Sequence, residues 1–269
     1  MAERPPDGII LETRGATARF GAFTAVHAAT YTLGEGETVG IIGPNGAGKS
    51  TFFNLITGLV TPAAGTVHFS GRDVTRWGPH HRVRRGIVRT FQLVSVFEAL
   101  PVLDNLVLAV IRADPGLARG TRFLLGSSRR PELVRTCSAA LERVGLASKA
   151  ELPAAELSYG DKRVLEIALA LTLRPRVLLL DEPFAGLSDV EIAHVLRLVK
   201  EIRGTLSIVV IEHKISHLLD LVSRLSVMHG GRFIAEGNPS DVLQDATVRQ
   251  VYWGGRAHPG DGGTRGAGA

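Results

Sequence analysis

The chain has 269 residues, and 45% of them are hydrophobic, which is enough for a packed core in one large domain or two small ones. The formal net charge is +5, but the basic residues are mostly scattered and only 6% of residues are aromatic, which argues against a nucleic-acid-binding surface. The single cysteine, Cys137, excludes an intramolecular disulfide framework and fits a reducing compartment.

The N-terminal segment MAERPPDGIILETRG has no basic region followed by an apolar run, so it does not resemble a secretory signal. No window reaches the roughly 18 apolar residues of a membrane span. We therefore expect a soluble, cytoplasmic chain that another protein must hold if it works at a membrane. The densest basic run, RVRRGIVR at residues 82–89, is interpreted as a solvated basic edge. A polyanion site and contact with anionic lipid headgroups are the alternatives.

The first ninety residues have the pattern of strands around one helix. Apolar and β-branched runs broken by glycines predict short strands with tight turns over residues 9–33. TVGIIG at 38–43 predicts a buried strand, and a glycine-rich loop and a helix over about 49–58 follow it. TVHFS at 66–70 and GIVRTFQ at 86–92 predict two further strands.

The middle of the chain, from about 93 to 160, changes to helical spacing. VLDNLVLAVI and PELVRTCSAALERVGL predict two helices, and a basic, loop-like segment lies between them. The region is therefore interpreted as a helical insertion in an α/β core.

The last third returns to alternating strands and helices. RVLLLDEP and LSIVVIEH predict buried parallel strands, and EIAHVLRLVKEIR between them predicts an amphipathic helix. RLSVMHGGRFIAEG predicts a hairpin around Gly230 and Gly231, and SDVLQDATVRQVYW predicts one capped final helix. Residues 254–269 are glycine-rich and are predicted to be disordered. The alternation predicts an α/β fold with a mostly parallel sheet, right-handed crossovers and an N-terminal antiparallel β layer.

Residues 43–50, GPNGAGKS, match the phosphate-loop pattern G-x-x-x-x-G-K-[ST] between a strand and a helix. We call them the phosphate loop. Glycines let backbone amides surround phosphate oxygens, and the helix N-terminus adds partial positive charge. Lys49 is expected to reach the β- and γ-phosphates, and the Ser50 hydroxyl is expected to bind Mg²⁺. The predicted nucleotide-binding residues here are Gly43, Pro44, Asn45, Gly46, Ala47, Gly48, Lys49, Ser50 and Thr51.

Four further polar residues lie at or directly after the ends of predicted strands. Asp181 ends a buried strand, where it can hold Mg²⁺ through water, and Glu182 can polarise an attacking water. His213 ends another strand and can hydrogen-bond the γ-phosphate, because ligands bind at the carboxyl edge of a parallel sheet. Gln92 begins the loop after GIVRTF, where its amide can bind Mg²⁺ or orient water. Together with the phosphate loop these residues predict phosphoryl transfer to water.

Residues 157–163, LSYGDKR, precede a helical run, and we call them the signature turn. Ser158 and Asp161 have the spacing of a capping box. The chain resembles the ATP-binding subunit of an ABC transporter over about residues 9–253. The resemblance is carried by five motifs in this order: GPNGAGKST, RTFQ, LSYGDKR, VLLLDEP and IEH. DEPFAGLS, VIEHK and RFIAEGNPSDV resemble the branched-chain amino acid importer type.

The resemblance implies one domain, with a P-loop NTPase core at 9–92 and 161–253 and a helical subdomain at about 93–160. It implies ATP and Mg²⁺, and head-to-tail pairing with a second ATP-binding subunit, identical or related. Ser158 and Gly160 would then close over the partner's γ-phosphate, and Phe20 would stack on adenine. Plain core packing is the alternative for Phe20.

The resemblance also implies partners. These are transmembrane permease subunits docked near residues 85–160, indirectly a solute-binding protein, and no nucleic acid. The chain is expected to lie peripherally at the cytoplasmic face of the inner membrane. An ABC-type ATPase that acts on nucleic acid or ribosomes, and a phosphate-loop kinase, are the alternatives.

The signature turn and the loop after VLLLDEP depart from the commonest family forms. LSGGQ is usual, whereas Tyr159 and Asp161 stand here. Asp161 would repel a polyphosphate, so we expect its carboxylate to turn back into the helix cap. In the family an Asp commonly follows the Leu of this loop directly, whereas here Leu187 is followed by Ser188 and then by Asp189. The sequence therefore does not decide whether this loop makes the contact with the partner subunit that the resemblance implies.

Overall fold

The computed structural model describes residues 8–90, 96–114 and 130–253. Gln92 and the predicted tail at 254–269 lie outside these ranges. The strands in the described ranges are β1 (Ile9–Phe20), β2 (Phe23–Gly34), β3 (Thr38–Ile42), β4 (Ala64–Phe69), β5 (Arg72–Asp73), β6 (Ile87–Arg89), β7 (Val177–Asp181), β8 (Ser207–Ile211), β9 (Arg224–His229) and β10 (Arg232–Gly237). The α-helices in the same ranges are α1 (Lys49–Thr57), α2 (Pro79–Arg84), α3 (Val102–Ala113), α4 (Pro131–Arg143), α5 (Tyr159–Thr172), α6 (Asp189–Ile202), α7 (Ile215–Leu219), α8 (Pro239–Gln244) and α9 (Ala246–Trp253).

The strands form two sheets. An antiparallel sheet has the order β2-β1-β4-β5, and a second sheet has the order β10-β9-β3-β8-β7-β6. The second sheet is parallel except for β10, which pairs antiparallel with β9. The N-terminal segment forms two twelve-residue strands instead of several short ones, because register shifts absorb its interruptions, including the one around Gly15.

The apolar strands are buried on both faces. In β7, Val177 and Leu179 pack into a core shared with the antiparallel sheet and α1, whereas Leu178 and Leu180 pack into a core shared with α3, α4 and α5. Cys137 is buried in this helical core, where burial raises the pKa of its thiol to about 11. Since α5 runs from Tyr159 to Thr172, the predicted subdomain boundary at 160/161 falls inside one helix.

The prediction of a solvated edge at 82–89 is wrong for two of its arginines. Arg82 is 1% exposed, and its guanidinium donates to the carbonyls of Leu55 and Ile56 at the end of α1, both at 2.6 Å. Burial lowers its pKa to about 10. The side chain of Arg89 is only 7% exposed and forms an ion pair with Asp181. Cations at the C-terminal carbonyls of a helix are favoured by its dipole, so Arg82 stabilises the phosphate-loop helix.

The final segment forms α8 and α9 instead of one helix. Asn238 caps α8, and the side chain of Asp245 accepts hydrogen bonds from the amides of Thr247 and Val248, so a new helix starts there. Within the described ranges, no helix has the length and apolar character needed to cross a membrane.

Candidate nucleotide-binding site

The phosphate loop joins β3, at the centre of the parallel sheet, to α1. Gly48 is the N-cap residue of α1, with a φ of 100°. A Cβ there would lie 2.5 Å from the Ala25 carbonyl oxygen, so the backbone follows a path that only glycine permits. No side chain caps this helix, so side chains do not occupy its first backbone amides at the phosphate loop.

Lys49 is 6% exposed, and its Nζ donates to the carbonyls of Gly43 at 2.6 Å and Pro44 at 3.1 Å. Burial lowers the pKa of Lys49, and the nearby charges of Glu182 and Asp181 oppose that shift. The ammonium is therefore folded against its own loop, within the field of both acids that were predicted from the sequence.

Asp181 ends β7 and is 1% exposed. Its Oδ2 accepts a hydrogen bond from Arg89 at 2.5 Å, and Arg89 also donates to Asn54 of α1 at 2.6 Å. Its Oδ1 is buried and receives no hydrogen bond from the described residues. A buried carboxylate oxygen without a donor suits a hard cation such as Mg²⁺, so the residues here fit the predicted metal.

Glu182 and His213 lie side by side, with Oε1 of Glu182 2.9 Å from Nε2 of His213. Glu182 has a φ of 48°, in the left-handed region that residues other than glycine rarely adopt. Its amide donates to the Ile211 carbonyl at 2.9 Å, which fixes the turn to the neighbouring strand. The two side chains therefore form the pair that a base and its orienting partner require.

Glu212 is a buried acidic residue that holds two turns together. It is 3% exposed, and its carboxylate accepts from the amide of Phe184 at 2.9 Å and from the amide of His213 at 3.0 Å. Burial raises its pKa, and these amide hydrogen bonds oppose the shift. Glu212 thereby joins the turn that carries Glu182 to the turn that carries His213.

A cavity of about 460 Å³ lies over the phosphate loop. Glu182 and His213 line it together with Phe23, Ala25 and the loop residues Asn45, Gly46, Ala47, Gly48, Lys49, Ser50 and Thr51. Phe20, the predicted stacking residue, pairs with Phe23 across the β1–β2 turn and is 51% exposed, but it is not among the lining residues. The stacking role of Phe20 stays a prediction, and Phe23 is the aromatic residue that the sequence analysis missed.

The signature turn opens α5 with a side-chain cap. The Asp161 amide donates to the Ser158 hydroxyl at 3.1 Å. The Asp161 carboxylate accepts from Lys149 Nζ at 2.5 Å. Burial would raise the pKa of Asp161, but hydrogen bonds from Lys149 and Ser158 outweigh it and lower the pKa. The carboxylate therefore turns back toward its own chain, but its ion-pair partner is Lys149 and not only the helix cap that we expected.

The signature turn also packs against the loop after Glu182. Gly160 is buried by the side chain of Glu191, which a Cβ at Gly160 would strike. Glu191 in turn completes a capping box with Ser188 at the start of α6. Hydrogen bonds from Ser188, and one from the Gly160 amide, lower the pKa of Glu191. The Ser188 side chain therefore caps α6 of its own chain.

The structure brings the phosphate loop, Glu182 and His213 together around one cavity, with Asp181 next to them. Ser158 and Gly160 are not among the described residues that line this cavity. Gln92 lies outside the described residues, so its predicted role is untested. The sequence analysis missed Arg89 and Glu212. Each is a charged residue within an otherwise apolar strand motif, Arg89 in GIVRTFQ and Glu212 in LSIVVIEH. That pattern is the feature of the sequence that points to them.

Comparisons with known proteins identify the family and the fold. The profile of the family described as ABC transporter matches residues 26–185. The chain is 35% identical over 254 residues to the high-affinity branched-chain amino acid transport ATP-binding protein BraF of Pseudomonas aeruginosa, covering 91% of this chain and 98% of that protein. It is 35% identical over 252 residues to LivG of Salmonella typhimurium, a protein of the same description, covering 91% and 98%.

A solved structure with a similar fold is the ADP conformation of an ATP-binding cassette of an ABC transporter. It superposes with a TM-score of 0.81 at 32% identity, covering 91% of this chain and 98% of that chain.

Proposed function

Because this chain belongs to the ABC transporter family, as an ATP-hydrolysing subunit, we propose that it powers a membrane permease that imports branched-chain amino acids or a related small polar solute. The observation that carries the proposal is the cavity over the phosphate loop, where Lys49 and the Glu182–His213 pair meet. The transported solute is taken from the names of the relatives.

The phosphate-loop amides and Lys49 bind the triphosphate. Lys49 exchanges its hydrogen bonds to Gly43 and Pro44 for phosphate oxygens, which a partly desolvated ammonium favours. Asp181 and Ser50 are the described side chains that would hold Mg²⁺, with Gln92 as a further predicted ligand. Mg²⁺, when bound, neutralises charge on the phosphates.

Glu182 orients the attacking water and accepts its proton, because its carboxylate faces the cavity beside the phosphate loop. His213 lies 2.9 Å from that carboxylate, so it orients Glu182, and it is the predicted hydrogen-bond partner of the γ-phosphate. The turn that carries Glu182 is held by Glu212 and by the Ile211 carbonyl, so the carboxylate is fixed before the nucleotide arrives.

Two subunits would pair head to tail, with Ser158 and Gly160 of one facing the nucleotide of the other. The permease would dock near residues 85–160. A second cavity, of about 510 Å³, supports this location because apolar side chains and charges of both signs line it where α2, α3, α4 and α5 meet. Val83, Val110, Leu133, Arg84, Asp114 and Arg174 are among its lining residues. The subunit would then lie peripherally at the cytoplasmic face of the inner membrane.

The test of the catalytic assignment is Glu182→Gln in the full chain. We expect phosphate release to fall about 10²–10⁴-fold, the usual contribution of a general base, while ATP binding is retained and an ATP-dependent dimer accumulates in light scattering. Glu35→Gln is the matched control, since Glu35 is exposed and pairs with Arg176 away from the cavity. Full hydrolysis in Glu182→Gln contradicts the assignment.

The test of the transport assignment is purification of the tagged chain from detergent-solubilised membranes. We expect a membrane permease to co-purify, and a solute-binding protein to stimulate ATP hydrolysis by the reconstituted complex. Recovery of ribosomes without a membrane protein would contradict transport.

A further inference from the structure

A buried guanidinium from the signature helix reaches the catalytic turn. Arg163 lies in the second turn of α5 and is 1% exposed. It donates to the Glu182 carbonyl at 2.6 Å and to the Pro183 carbonyl at 3.3 Å. A third contact, 2.8 Å to Oε2 of the buried Glu166, balances its charge.

The turn that Arg163 contacts is one that needs support. Glu182 has a φ of 48°, and such conformations persist only where the surroundings over-determine them. Glu212 accepts the Phe184 amide from one side of the turn, and Arg163 donates to the two preceding carbonyls from the other. Donors and acceptors therefore fix the backbone that aims the Glu182 carboxylate at the cavity.

We propose that Arg163 is a positioning residue for ATP hydrolysis, which holds Glu182 in its catalytic orientation through the backbone of residues 182 and 183. The proposal rests on the role assigned to Glu182 in the proposed function. An arginine is required because its planar fork can donate to Glu166 and to two carbonyls at once. The helix that begins at the signature turn thus also positions Glu182, the proposed general base, of its own chain.

A purely structural role is the competing explanation, since breaking a buried ion pair leaves an uncompensated charge. Arg163→Met alone is therefore compared with Arg163→Met/Glu166→Gln, which removes both charges. We expect the single variant to lose both thermal stability and turnover. The double variant should recover a melting temperature near that of the wild type, with kcat still at least about tenfold lower.

Two further measurements isolate positioning from binding. ATP affinity, measured with ATP and EDTA so that no hydrolysis occurs, should stay within about twofold of wild type in the double variant, so the loss is in kcat and not in KM. In a Glu182→Gln background the same two substitutions should lower kcat no further, because residues that act as a unit are not additive.

The outcomes separate the two proposals. Recovery of kcat together with the melting temperature in Arg163→Met/Glu166→Gln overturns the positioning role and leaves the function of Glu182 intact. If Arg163→Met/Glu166→Gln lowers kcat further in the Glu182→Gln background, so that the two losses multiply, the positioning role of Arg163 is also overturned. Full turnover in Glu182→Gln alone overturns the assignment of Glu182, and the role of Arg163 with it.

Discussion

Helix α1 follows a glycine-rich loop, and α5 has Gly160 in its first turn. Both N-termini have an expected phosphate-binding role, but they are capped differently. At α1, Gly48 supplies no side-chain cap, and the first turn faces the cavity over the phosphate loop. At α5, the Ser158 hydroxyl accepts the Asp161 amide, and Glu191 covers Gly160.

The difference supports the proposal that, within one chain, the nucleotide binds at the N-terminus of α1. Unsatisfied amides at a helix N-terminus attract anions, and side-chain caps satisfy some of those amides. The phosphate loop, which includes Lys49, lines a cavity together with Glu182, whereas the signature turn is capped by Ser158 and covered by Glu191 of α6. A phosphate that reaches the signature turn must therefore come with an incoming surface that can displace Glu191.

The largest effect on ATP hydrolysis is expected from a substitution in the phosphate loop. Lys49→Ala should lower ATP hydrolysis by about 10²–10³-fold, since it removes a preorganised positive charge from the reacting phosphates. Phosphate release by the purified full chain is the measurement. Lys149→Ala is the matched control, because Lys149 pairs with Asp161 near the signature turn and should change the rate by less than about twofold. Equal losses in both variants would refute the distinction between the two helix ends.

An intermediate effect is expected on the signature side from Gly160→Ala. The new Cβ strikes the Glu191 side chain and shifts the turn, so hydrolysis should fall roughly tenfold, while ATP binding to the isolated chain is unchanged. Equilibrium binding with ATP and EDTA, alongside phosphate release, separates the two effects.

Gly160→Ala/Glu191→Ala removes the clash and tests its cause. Hydrolysis should recover in this double variant. Glu191→Ala alone is the control for loss of the Glu191 half of the α6 capping box, which should lower stability. A reduced ATP affinity in Gly160→Ala would contradict the assignment of the signature turn to a partner's nucleotide.

The smallest effect is expected from Asp161→Gln, which restores the commonest family residue. Hydrolysis at pH 7 should stay within about twofold, because the carboxylate faces Lys149 and Ser158. Loss of this partly exposed pair should cost up to about 1 kcal/mol of unfolding free energy. A large rise or fall in the rate would mean that the acid contacts nucleotide.

The pH dependence of that stability difference has a definite sign. The pKa of Asp161 is lowered on folding, so its contribution is present above the usual aspartate pKa of about 3.9 and is lost as the pH falls through the lower value of the folded state. Urea unfolding of both proteins from pH 7 downward should show the two midpoints converging at acid pH. A difference that persists unchanged below pH 3 would indicate that the Lys149–Asp161 pair is not its source.

The core of the candidate site was predictable because its motifs follow strands of one parallel sheet. The carboxyl ends of β3, β7 and β8 meet at one edge, so the phosphate loop, Glu182 and His213 converge without any knowledge of side-chain contacts. The α/β fold and the ABC-type ATPase were predicted from the sequence and are confirmed by the comparisons. The roles of the individual site residues stay predictions.

The sequence by itself determined the core strands, the longer helices and which motifs share an edge, because apolar periodicity and glycine turns are local properties. It did not determine the length of the N-terminal strands, helix α2 or the break between α8 and α9. Only the tertiary structure decided which charges are scaffold and which face the ligand. Arg82 reaches carbonyls 26 and 27 residues away, and Arg163 reaches carbonyls 19 and 20 residues away. The direction and burial of a long polar side chain depend on such distant neighbours, so no local pattern separates these arginines from the exposed ones beside them.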